Sequence, residues 1–73
     1  MAYRDKNWVP FEAKIEFKSA KSYLVEATLG GKYFLPFSQI RDHPELPEAD
    51  ENGNRLFEVS EWWFGVKEEV PDK

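Results

Sequence analysis

Seventy-three residues, no cysteine and a net charge of −4 describe one small domain, 1–73, with neither a disulfide nor a Cys-type zinc site to staple it. Three Trp, three Tyr and six Phe must supply most of the core, since each packed ring buries roughly 150–250 Å². No run approaches the ~18 apolar residues of a membrane span, and the N-terminus, MAYRDKNW, lacks an apolar signal region, so the sequence predicts a cytoplasmic protein without membrane contact.

Residues 1–10 read as an N-terminal arm, with Trp8 and Val9 the first to touch a core and Pro10 opening the first strand. Phe11 to Phe17 alternates without a fault: Phe11, Ala13, Ile15 and Phe17 face one way, and Glu12, Lys14 and Glu16 the other. That is a strand with one buried and one wet face. Lys18–Lys21 reads as a turn into a hairpin whose first arm carries Tyr23, Val25, Ala27 and Leu29 on one side. Gly30-Gly31 supplies the two positive-φ residues of a two-residue turn. Tyr33, Phe34 and Leu35 form the second arm, and Pro36 marks a strand end or a sheet edge. Ser38 suits the start of a single helical turn that folds Ile40 inward.

Residues 41–54, RDHPELPEADENGN, have no apolar period, contain two prolines and five acids, and exit through Asn52-Gly53. Fourteen residues of loop in a compact domain are either mobile or engaged with a partner. Arg55–Val59 is a fourth strand, with Phe57 and Val59 inward. Ser60 then reads as the N-cap of a helix over 61–69, with Trp62 and Val66 on its apolar stripe. Gly65 and the late acids Glu68 and Glu69 weaken that helix; continuation of Trp62–Val66 as a strand is the competing reading. The fold class is therefore α+β and β-rich: an antiparallel sheet of about four strands, a meander, with one short C-terminal helix. The predicted core is Phe11, Ile15, Phe17, Val25, Ala27, Leu29, Leu35, Ile40, Phe57, Val59, Trp62 and Val66.

Nothing in the chain makes a catalytic constellation. His43, the single histidine, reads as a solvated loop residue. Glu48 to Gly53 imitates the first half of a calcium loop, but Val59 stands where the bidentate glutamate belongs. The serines lack a nucleophile-elbow context, and no glycine-rich phosphate cradle precedes a helix. The sequence predicts no enzyme, no cofactor and no metal.

Charge is uneven: residues 1–41 carry +3 and residues 42–73 carry −7. Three interaction readings follow. A protein-binding module would use aromatics and an acidic loop to dock another protein, one that binds nucleic acid through a basic surface being a natural partner. An acidic decoy would present carboxylates in place of phosphates to a host nucleic-acid enzyme. A single-strand binder would stack bases on Tyr23, Tyr33 or Phe34 while Lys14, Lys18, Lys21 and Lys32 follow the backbone, a reading that the net negative charge disfavours. The candidate partner-binding residues are Tyr23, Leu24, Tyr33 and Phe34 on the hairpin and Glu45, Glu48, Asp50 and Glu51 on the loop.

Tyr23-Leu-Val, Gly30-Gly31, Phe34-Leu-Pro-Phe-Ser-Gln-Ile40 and Phe57-Glu-Val-Ser-Glu-Trp62 together resemble a recurrent type of short phage and bacterial protein. In these an apolar strand and a Gly turn lead to an aromatic-Leu-Pro-x-Ser-Gln-Ile step, a short strand and a Glu-Trp helix. The resemblance covers roughly residues 22–67. It implies a mobile-element origin and a role in phage–host interaction or phage nucleic-acid metabolism. Trp63-Phe64-Gly65 departs from the more ordinary amphipathic helix of that type.

Overall fold

The alternating run near the N-terminus becomes the spine of the computed structural model, which describes residues 7–71. This strand, β1 (Trp8–Lys18), is flanked on one side by β2 (Ser22–Ala27) and β3 (Lys32–Pro36) and on the other by β4 (Asn54–Ser60), in the antiparallel order β3-β2-β1-β4. β1 to β3 form a meander. A long connection then returns β4 beside β1, which is the Greek-key arrangement. A single short helix, α1 (Glu61–Val66), follows β4 without a break. The expected β-rich α+β fold is the one observed.

Pairing explains which face is buried. Phe11 lies opposite Phe57, Ala13 opposite Ala27, and Tyr23 opposite Leu35, so the inward side chains of four strands meet on one face. Val25, Leu35, Phe57 and Val59 are fully buried there, with Ile40 and Trp63 nearly so. After β3 a 3₁₀ turn at Phe37–Gln39 carries Ile40 to a bridge with Val59 of β4. The chain thus crosses the open end of the core from one sheet edge to the other. Ser60 locks this crossing to the helix: its hydroxyl donates to Gln39 Oε1 and accepts from the Trp63 N–H at 3.1 Å. That cap satisfies one of the otherwise open N–H groups of the first helical turn.

Several expectations are corrected. Residues 1–6 of the proposed arm lie outside the described residues, while Trp8–Pro10 already belong to β1. Pairing with β2 begins only at Ala13, so Pro10, which has no N–H to give, stands where β1 has no β2 partner. Phe17 leaves the core because a bulge between Ile15 and Phe17 shifts the register and turns its side chain outward. The hairpin loop spans Thr28–Gly31, closed by Gly30 N–H to Ala27 O and Ala27 N–H to Gly31 O. Gly30 and Gly31 both hold positive φ, 113° and 89°. Leu29 consequently sits fully exposed at its tip.

The helix is also shorter and differently turned than expected. It ends at Val66, where the Lys67 N–H donates to Trp63 O, and Glu68 and Glu69, which would oppose the dipole, lie beyond it. Trp63, not Trp62, faces the core: its ring meets Phe11 edge-on at 5.3 Å and Tyr33 at 6.5 Å, leaving Trp62 and Val66 exposed. Its indole N–H donates to Phe34 O at 3.2 Å, and Val70 N–H donates to Lys32 O at 2.7 Å. The helix and the tail after it therefore cover the free edge of β3, which would otherwise invite strand pairing.

The 3₁₀ turn starts one residue before Ser38, with Pro36 in the capping position. His43 is half-buried rather than solvated, stacked on Phe37 at 4.2 Å and edge-on to Tyr23 at 6.2 Å.

Candidate partner-binding face

The bulge that removes Phe17 from the core also builds the most continuous apolar feature of the solvent side. Phe17 pairs with Leu24, and Leu24 pairs with Phe34, so the three side chains form one row across β1, β2 and β3. Adjacent strands lie about 4.8 Å apart, which brings such neighbours into mutual contact range. Phe17 is 61% and Phe34 53% exposed, with Leu24 partly covered between them. Rings on the wet face of a sheet contribute nothing to the core. They expose apolar area that a partner could remove from water.

The neighbouring row on the same face is charged. Lys14 pairs with Glu26, and Glu26 with Lys32, while the bulged Glu16 reaches Lys32 at 3.4 Å. As the pair titrates in acid, a hydrogen bond from the protonated Glu26 carboxyl, and after it the positive charge of Lys32, holds the Glu16 carboxyl below the usual glutamate range. Glu16 is thus a carboxylate at neutral pH, and Lys32 is occupied by it.

The sequence-predicted residues divide sharply. Leu24 and Phe34 come together in the apolar row. Tyr23 is 5% exposed, lying under Phe37 at 4.9 Å, and is a core residue. Tyr33 is partly covered: Phe11 meets it edge-on at 6.2 Å and the Lys67 ammonium sits 5.2 Å from its centroid. Tyr23 therefore presents no face to a base or a partner, and the part of Tyr33 left open lies beside Phe11 and Phe64, on the opposite face of the sheet from Phe34. Asp50 forms the turn into β4, its Oδ1 accepting from the Asn52 and Asn54 N–H groups at 2.8 and 2.9 Å. Glu45 borders a shallow pocket of about 320 Å³ beside Leu46, Leu56 and Arg41, whose guanidinium is taken by Glu58 at 2.8 Å. Glu48 and Glu51 are exposed and form no ion pair among the described residues. The loop carboxylates therefore do not converge with the hairpin row into one site.

Sequence reasoning missed Phe17, which it placed inside, and Val66 and Val70, which border a groove beside Phe34. The alternation through Phe17 is unbroken, so nothing local announces the bulge.

Comparison with known proteins finds no matching family model, no matching curated protein and no matching solved structure. The fold and the exposed row define a small antiparallel sheet domain with one wet face partly apolar. Among the described residues, no helix is long and apolar enough to cross a membrane.

Proposed function

We propose that this chain is a non-catalytic interaction module that binds another protein through the Phe17–Leu24–Phe34 row. The observation that carries the reading is the register itself, which sets two largely exposed phenylalanines on either side of a leucine on the wet face. Aromatic residues, Phe among them, are enriched in the cores of protein–protein interfaces relative to the rest of the surface. Nucleic-acid stacking has lost Tyr23 to the protein interior, has Tyr33 and Phe34 on opposite faces of the sheet, and has one of its four lysines paired with Glu16. The likeness of residues 22–67 to short phage and bacterial proteins supports a setting as a phage or mobile-element accessory protein acting in the cytoplasm of the host cell.

The test compares the native chain with a Phe17→Lys/Phe34→Lys variant as bait in an extract of the host cell, alongside titration of labelled oligonucleotides at low and high salt. The reading expects a captured protein that the variant loses without a change in its denaturation midpoint. Salt-sensitive oligonucleotide binding of comparable strength in both proteins would overturn it.

A further inference from the structure

The apolar row does not stop at Phe34. At the β3 edge Phe34 also lines a groove of about 460 Å³, shared with Val66, Val70 and Pro71 and with the acids Glu68 and Glu69. The groove is a built feature, because the tail that makes its far wall is anchored to β3 by the Val70–Lys32 hydrogen bond and the helix by the Trp63–Phe34 one. Among the described residues its lining is acidic on balance: Glu68 and Glu69 stand against one cation, Lys67, whose ammonium donates to Phe64 O at 3.1 Å and lies 4.0 Å from the Phe64 ring centroid. Glu68 and Glu69 are exposed and make no ion pair among the described residues.

Apolar walls with carboxylates at the rim suit one kind of side chain: a long aliphatic stem that ends in a cation. We infer that the partner segment is amphipathic and basic. Its apolar residues cover Phe17, Leu24 and Phe34, and a lysine or arginine follows the ring of Phe34 around the β3 edge to lay its stem on Val66 and Val70. Its charge then reaches Glu68 or Glu69. This rests on the reading of the apolar row as the docking face, and adds the chemistry of what docks there. Rim carboxylates of this kind accelerate and orient association, and their effect weakens as salt screens them.

The experiment uses three labelled amphipathic peptides with identical apolar residues and lysine, glutamine or glutamate at the remaining positions. Binding is followed by fluorescence anisotropy and by amide shifts of the native chain. The lysine peptide is expected to bind tighter than the glutamine peptide by about threefold to tenfold at low salt, with shifts at Phe34, Val66 and 68–70. High salt and the Glu68→Gln/Glu69→Gln variant should each erase that advantage, leaving the glutamine peptide unaffected. Equal binding of the lysine and glutamine peptides, or preference for the glutamate peptide, overturns the basic partner. In that event the row still stands if Phe17→Ala/Phe34→Ala abolishes binding. If no peptide binds the native chain at about 1 mM, or all bind the phenylalanine variant undiminished, the row falls and the inference with it.

Discussion

Replacing Trp63 by alanine removes a ring that is 4% exposed, two edge-on aromatic contacts and the hydrogen bond to Phe34 O. A buried Trp→Ala change costs about 3–5 kcal/mol. A domain of 73 residues has about 4–11 kcal/mol in total, so Trp63→Ala should unfold the chain or leave it marginal. Trp63→Phe keeps most of the buried ring but strands the Phe34 carbonyl, and should cost about 1–2 kcal/mol. Its neighbour Trp62 is 67% exposed, and Trp62→Ala should stay within about 0.5 kcal/mol of the native chain. Urea unfolding followed by circular dichroism ranks the three; with a slope near 1 kcal/mol/M, Trp63→Phe lowers the midpoint by about 1–2 M. A larger loss for Trp62→Ala than for Trp63→Ala would mean that α1 is rotated by one residue and would refute the packing described.

Four further outcomes are expected. Phe57→Ala, at a fully buried position, should cost about 3–5 kcal/mol, and an unchanged midpoint would refute its placement. Ser60→Ala loses both the helix cap and the tie to Gln39 and should cost about 1–2 kcal/mol in the same assay. Gly31→Ala should destabilise by about 1–3 kcal/mol, because φ is +89° and the new Cβ would stand 3.0 Å from Tyr33 Oη. Glu16 has its folded pKa lowered from 4.5, so its contribution is present above that value and is lost as pH falls through the lowered one. Glu16→Gln should flatten stability between mildly acidic and strongly acidic pH, and an unaltered acid limb would contradict the assignment.

Much of the fold is local chemistry and was therefore readable. The period-two run from Phe11 to Ile15, the Asn52-Gly53 turn and the Ser60 cap each state their structure within a few residues. Features decided by pairing across the sheet were not. The bulge depends on how Ile15 and Phe17 register against Val25 and Leu24, which no property of Glu16 reveals. Gly30-Gly31 suits a two-residue turn as well as the longer loop observed, and the choice between them decides whether Leu29 is inside. Trp62 and Trp63 are indistinguishable by composition; the Phe34 carbonyl and the Phe11 and Tyr33 rings select the second. The same register that misplaced Phe17 in the sequence reading creates the candidate site, joining it to Leu24 and Phe34. Asp50 was legible as an acid but not as the residue that forms the turn before β4.

The docking face is tested most directly by photo-crosslinking from within it. A benzoyl-phenylalanine placed at position 17 or 34 in the native chain, irradiated in a cell extract, should attach the same protein from both positions, whereas one at exposed Leu56 should not. Adducts from position 56 with none from 17 or 34 would contradict the account.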